Sequence, residues 1–283
     1  MDSLANTFVH RIGVAHPRVR RDVYCRSPAF HSTALVSLVA TTTFGRCHCR
    51  FAYGAAYLMF RAVAVVVGAT GGIGGALSEE LSRGGYFYQV IRLSRPSLDL
   101  CDEASIARVA AELPIGCVRL LINATGFLHD VTQQPEKSLR DLNPAFLAHS
   151  FALNAIGPAL LMKHLFPLLP RQGRTVVANL SARVGSIGDN QLGGWYGYRS
   201  SKAALNQLVR TAAIELARTH PEAICVALHP GTVATSLSAP FVGSKRSPHT
   251  PIEAARHMLT VIENLKPENS GGFFDWRGES IPW

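Results

Sequence analysis

Tyr198 and Lys202 stand four residues apart in the segment Tyr198-Arg-Ser-Ser-Lys202. Residues at that spacing share a helix face, and the stretch from Tyr196 to Arg218 is rich in Ala and Leu, as a helix would be. An ammonium held beside a phenol favours the phenolate and draws a Tyr pKa down from its ordinary value of about 10. Such a pair suits proton delivery to a forming alkoxide, or proton removal from an alcohol. A second chemical feature lies earlier, in Gly68-Ala-Thr-Gly-Gly-Ile-Gly74, after the apolar β-branched run Ala62-Val-Ala-Val-Val-Val67. The next residues, Gly75 to Arg83, carry Leu77 and Leu81 at helical spacing.

Strand, glycine turn and helix are in the order that a phosphate cradle needs. Without side chains, Gly68, Gly72 and Gly74 let backbone approach a pyrophosphate, and the N-terminus of the following helix, with Ile73 in its first turn, offers unpaired N–H groups and a positive dipole end. The spacing is G-x3-G-x-G, which differs from the G-x-G-x-x-G of most dinucleotide folds. At the end of the second expected strand, Val90-Ile-Arg-Leu-Ser-Arg-Pro96 has no acidic residue to accept from an adenosine ribose. Arg95, with Arg92 as the alternative, instead suits a ribose 2′-phosphate. NADP(H) is therefore the expected cofactor, with NAD(H) second; Gly71, where a further cation would help, is neutral.

These residues together resemble the short-chain dehydrogenase/reductase family, and the resemblance runs from Ala62 to the C-terminus. Leu120-Leu-Ile-Asn-Ala-Thr-Gly126 is similar to the family's Asn-Asn-Ala-Gly strand end, Phe151-Ala-Leu-Asn-Ala-Ile-Gly157 carries the helix asparagine, and Pro230-Gly-Thr-Val-Ala-Thr235 matches the turn that caps the nicotinamide. The resemblance implies a catalytic set of Asn154, Ser181, Tyr198 and Lys202. It also implies cofactor contacts from Asp99, Asn123, Gly126, Pro230, Val233 and Thr235, besides the glycine turn, Arg95, Tyr198 and Lys202. In that scheme Tyr198 gives the proton, Lys202 lowers its pKa and bonds the nicotinamide ribose, and Asn154 positions a relaying water. The serine departs from the pattern. In Asn179-Leu-Ser-Ala-Arg-Val-Gly185, Ala182 stands where the family's acting serine does, leaving Ser181 as the first candidate and Ser186 as the second. One residue along an extended strand reverses the side-chain direction. The segments around Ser181 and Tyr198 and the ending Ile281-Pro-Trp283 are most similar to the branch of C-factor signalling proteins and sniffer-type carbonyl reductases. That branch leaves open a dinucleotide-sensing signalling protein with little turnover.

Alternating elements are expected to position these groups. Strands fall near 62–67, 88–93, 97–100, 117–123, 174–180, 223–228 and 271–274, and helices near 73–83, 103–112, 139–152, 155–168, 196–219 and 251–264. This is the pattern of a single doubly wound α/β Rossmann-type domain, with a seven-stranded parallel sheet and helices on both faces. Gly68, Asn123, Ser181 and Pro230 then gather at the carboxyl ends of the strands. The segment from Ser236 to Pro251 reads as a flexible loop over the site, and Phe127, Trp195 and Phe241 as candidate walls. Ala203, Ala204, Ala212 and Ala213 suit either a homodimer or homotetramer interface or packing within one chain.

The chain has 283 residues, is 47% hydrophobic and carries a net charge of +9. That content suffices for one large core. Most of the charge excess lies before Ala62, where eight Arg face two Asp. The remainder has no basic stripe for nucleic acid. Residues 1–60 read as an extension ahead of a catalytic domain at 61–283, with the composition of a mitochondrial or plastid leader or of a disordered leader; without an organelle leader the protein would be cytoplasmic. No membrane span is expected, since Arg61 interrupts the apolar stretch from Ala55 to Val67. The cysteine spacing suggests no metal site, and Cys47-His-Cys49 lacks a second ligand pair. The expected partner is a small carbonyl or alcohol substrate.

Overall fold

The computed structural model describes residues 62–241 and 247–283. The expected leader and Cys47-His-Cys49 lie outside the described residues. Six strands, β1 (Val63–Val67), β2 (Gln89–Leu93), β3 (Val118–Asn123), β4 (Thr175–Leu180), β5 (Ala223–His229) and β6 (Phe273–Asp275), form one sheet in the order β2-β1-β3-β4-β5-β6. Every neighbouring pair is parallel. Every side chain of β1 and β4 is buried, which is why these strands read as near-continuous apolar runs.

Among the described residues, six α-helices cover the two faces: α1 (Gly72–Gly84), α2 (Glu103–Glu112), α3 (Pro144–Phe151), α4 (Gly157–Leu165), α5 (Tyr196–Ala217) and α6 (Pro251–Asn264). On one face, Ile106 of α2, Leu161 and Leu165 of α4, and Leu205 and Val209 of α5 pack on Val65, Val177 and Cys225. On the other, Leu77 and Leu81 of α1 and Met258 and Ile262 of α6 pack on Val66, Ala178 and Val226. Burying one such aliphatic side chain stabilises the fold by about 1.5–3 kcal/mol. The apolar run Pro144–Leu168 is long enough to cross a bilayer, yet its Leu161, Met162 and Leu165 belong to this core.

The expected seventh strand, 97–100, is absent. Leu98 and Leu100 are buried, so the alternation that suggested a strand is real. Their backbone is spent on turns: Leu98 N–H donates to Ser94 O and Asp102 N–H to Asp99 O. The sheet therefore has six strands, with β2 at its edge. The expected helix 139–152 is also divided. Ser138 caps a short 3-10 turn at Leu139–Asp141, and α3 starts at Pro144, where the Asn143 side chain accepts from the N–H groups of Ala145 and Phe146. A π turn, Ala152–Ile156, joins α3 to α4 with no intervening loop. Ala213 is core, whereas Ala203, Ala204 and Ala212 are half-buried.

The β1–α1 turn is shaped by two glycines. Gly68 has φ +82, a conformation that other residues avoid. A Cβ on Gly74 would lie 2.1 Å from the Gly68 carbonyl oxygen. Gly74→Ala is therefore expected to force the turn apart, at about 1–3 kcal/mol or more. Thermal unfolding should show a Tm lower by at least about 2–4 °C, and dinucleotide titration should show a weakened complex.

Candidate active site

Helix α5 carries the proposed proton donor because its buried stripe continues to its N-terminus. Leu205, Val209, Ala213 and Leu216 bury against the sheet, and Tyr198 and Lys202 extend that row upward. The helix start is held from a distance. Trp195 precedes it in a left-handed conformation, φ 52, and supplies no side-chain cap. Buried Glu136 does so instead: its carbonyl accepts from Trp195 N–H and its carboxylate Oε2 accepts from Gly197 N–H at 3.1 Å. A carboxylate at a helix N-terminus is favoured by the dipole. Nothing in the local sequence around Glu136 signals this role.

Lys202 is 3% exposed and its Nζ donates to Leu180 O at 2.8 Å. The Nζ lies 5.9 Å from the Tyr198 ring centroid. Gly185 permits the close fit beside it, since a Cβ there would come within 2.8 Å of Lys202 Cβ. Burial pushes the Lys202 ammonium down to about 7 and the Tyr198 phenol up to about 12. The sequence reading expected the ammonium to lower the phenol. In this arrangement desolvation of both groups dominates, and each is moved toward its neutral form.

Asn154 lies in the π turn, fully buried. Its Nδ2 donates to Phe127 O at 2.7 Å and to Ser201 Oγ at 3.0 Å, and its Oδ1 accepts from Phe127 N–H. The side chain thus ties the loop after β3 to α5. A Cβ on Gly126 would sit 3.8 Å from Lys202 Nζ and 3.9 Å from Asn154 Oδ1, so these three residues meet. Asn123, also buried, donates to Asn179 Oδ1 and accepts from Thr125 N–H and Oγ1, fixing the loop after β3.

Ser181 is 4% exposed, and its hydroxyl donates to Asn206 Oδ1 at 2.7 Å. Ser186 is buried and accepts from Asp189 N–H. A cavity of about 550 Å³ opens beside this strand end; Ser181 and Ala182 line it, with Tyr198 and His229, and Ser186 does not. Trp195 and Phe241 form one wall, with ring centroids 5.1 Å apart, and Trp195 stands edge-on to Tyr198 at 6.3 Å. Phe241 also meets His129 at 5.3 Å. The third candidate wall, Phe127, packs instead on Phe146 and His149. Arg183 and His229, which the motifs did not single out, line the cavity too. Arg183 pairs with Asp189 and Asp275. A signal for His229 existed in its place directly before the Pro230-Gly231 turn. The segment 242–246 of the expected flexible loop lies outside the described residues; before it, Ala239–Phe241 forms a 3-10 turn.

The glycine turn opens at the same edge of the sheet. α1 has Gly71 as its N-cap with no side-chain cap bond and no acidic residue in its first turn, leaving its N–H groups for an anion. Ile73, Val233 and Thr235 line the cavity, and a Cβ on Gly72 would touch Thr235 Cγ2 at 3.0 Å. Pro230 is buried at the start of the turn leading to Val233. At the end of β2, Arg95 is exposed and makes no side-chain hydrogen bond among the described residues. Arg92 leans on α1 toward Ser78 O and Ser82 Oγ. Asp99 Oδ1 accepts from Cys101 N–H.

The chain is similar to known proteins in sequence and in fold. The short chain dehydrogenase family model matches residues 96–245. The C-signal protein of Myxococcus xanthus is 40% identical over 147 residues, 52% of this chain and 84% of that protein. The NADPH-bound carbonyl reductase from chicken fatty liver superposes with a TM-score of 0.68 at 27% identity, over 79% of this chain and 99% of that one. The carbonyl reductase Sniffer of D. melanogaster shares the fold, with a TM-score of 0.64 at 22% identity over 79% of this chain and 99% of its own. The chain belongs to the short chain dehydrogenase family and is an oxidoreductase.

The lowered Lys202 pKa sets the sign of a pH dependence. In the unfolded chain the amine titrates near 10.5, in the folded chain near 7. Protonation thus opposes folding; the penalty is complete below the folded pKa and fades as pH rises toward the unfolded one. Without dinucleotide, Lys202→Met should unfold at a higher temperature than the unsubstituted chain at about pH 6. The gap in Tm should narrow as pH approaches about 10.

Proposed function

We propose that this chain is an NADP(H)-dependent carbonyl reductase of small substrates. The observation that carries this reading is half-buried Tyr198, with buried Lys202 one helical turn behind it, on the wall of a cavity that reaches Ile73 in the first turn of α1. The turn fits the dinucleotide: Gly74 lets the start of α1 lie directly against the Gly68 carbonyl, and the first turn of α1 is uncapped. Gly68, Gly72, Ile73 and Gly74 would hold the pyrophosphate, Val233 and Thr235 the nicotinamide end, and Arg95 the 2′-phosphate. The chicken reductase's bound NADPH supports the choice of cofactor. When bound, the dinucleotide supplies the hydride.

The protein's own part is orientation and proton control. Tyr198 faces the cavity in its neutral form, raised to about 12, and is thereby a phenol that gives its proton only to a strong base such as a forming alkoxide. Lys202, balanced near 7, offers its remaining N–H groups beside the phenol and takes or gives a proton readily at neutral pH. Asn154 keeps the Phe127 backbone and Ser201 in register with it. The Trp195–Phe241 wall presents apolar surface to one side of the reacting face.

A second reading, a dinucleotide-sensing signalling protein, is favoured by the methyl group of Ala182 and by the similarity to C-signal. One comparison separates the two. In an assay of NADPH and NADH oxidation with aldehydes, ketones and quinones, Tyr198→Phe should lower kcat by about 10²–10⁴-fold with NADPH binding kept. Arg95→Ala should weaken NADPH about 10–100-fold while leaving NADH unchanged. Tight NADPH binding with no turnover on the whole panel would favour the sensor.

A further inference from the structure

The end of β4 presents no free serine proton to the cavity. Asn206 Nδ2 donates to Gly185 O at 3.4 Å, which turns its Oδ1 toward Ser181 and commits the Ser181 hydroxyl proton at 2.7 Å. Ala182, at the cavity surface, has only a methyl group. Ser186 accepts from Asp189 N–H outside the cavity lining. A carbonyl oxygen polarised by Tyr198 alone would lack the second donor that stabilises developing negative charge.

The neighbouring strand end supplies a candidate. Ser181 N–H donates to Leu228 O at 2.7 Å, which places His229 beside Ser181. His229 lines the same cavity as Tyr198, while its Nδ1 is sealed from solvent without a hydrogen-bond partner. Burial, and after it the charge of Arg183, hold the imidazole down at about 4, against a smaller opposing effect of Asp275. At neutral pH the ring is uncharged, with one N–H and one lone pair. An orphan buried N–H is rarer than an under-satisfied acceptor, so the lone pair belongs on sealed Nδ1 and the proton on Nε2. Nε2 is then a donor on the ring edge left to the cavity.

We propose that His229 is a substrate-contacting residue: its Nε2–H donates to the carbonyl oxygen that Tyr198 protonates, in place of the hydroxyl missing at Ala182. This rests on the reductase reading above. The imidazole gives a hydrogen bond and keeps its proton; the proton that ends on the alkoxide oxygen leaves Tyr198.

The test is a cycle of His229→Ala, Ala182→Ser and the double variant, measuring kcat and KM for the best panel substrate, NADPH Kd and Tm. His229→Ala should lower kcat about 10²-fold with NADPH Kd unchanged. Adding Ala182→Ser should restore at least about tenfold in that background and much less in the unsubstituted chain, a non-additivity expected of groups serving one atom. His229→Gln, which keeps an N–H donor, should retain most turnover, and it carries the test if the alanine variant loses Tm. The proposal is overturned by unchanged kcat in His229→Ala, by a parallel loss of NADPH affinity, by equal Ala182→Ser effects in both backgrounds, or by a Gln variant as impaired as the Ala variant. Those results leave the reductase reading standing; absence of Tyr198-dependent turnover in the unsubstituted chain would remove both.

Discussion

Keeping an amine dry near the start of a long helix is the constraint around which this structure is arranged. Lys202 makes one recorded hydrogen bond, to the Leu180 carbonyl at the end of β4, and a buried ammonium is expensive in any protein. Four distant pieces of chain close around it or steady its helix: Gly185, whose missing side chain lets the strand-end turn lie against α5; Gly126 after β3; Asn154, which ties the π turn to Ser201; and Glu136, which holds the first turn of α5. They converge because parallel strands bring their carboxyl ends to one edge of the sheet. An amine near its neutral point, next to a phenol kept protonated, is the product of that enclosure.

The cavity wall adds a mechanical element. Trp195 holds a backbone conformation that costs a bulky residue about 1–3 kcal/mol, and its N–H bond to Glu136 O helps to hold it there. Its ring meets Phe241, and Phe241 meets His129. This row of edge contacts, each worth about 0.5–1.5 kcal/mol between aromatic rings, links the approach to α5, the loop after β5 and the loop after β3. Movement of any one of them must break contacts with another.

Much of this was legible in the chain. The order of apolar run, glycine turn and periodic helix identified the β1–α1 unit, and the Tyr198–Lys202 spacing identified the face of α5, because both signals are local. The family follows from several such signals in order. The seventh strand misled because buried alternation at Leu98 and Leu100 is shared by strands and by turns folded onto a core; backbone bonding, which sequence does not display, decides between them. Ser181 posed the same difficulty in miniature. The direction of its hydroxyl depends on Asn206, itself oriented by Gly185. Glu136 and His229 act through partners far along the chain or through a cavity, and no periodicity announces either.

The π turn carries a different kind of consequence. It is an α-helix with one residue too many, and each residue advances a helix by about 100°. The reach of Asn154 to Phe127 and Ser201 thus depends on chain length as much as on side-chain identity. A single-codon deletion between Ala152 and Ile156 would leave a more regular helix and swing either Asn154 or the buried face of α4 out of place. The segment is thereby constrained in its length as well as in the identity of Asn154.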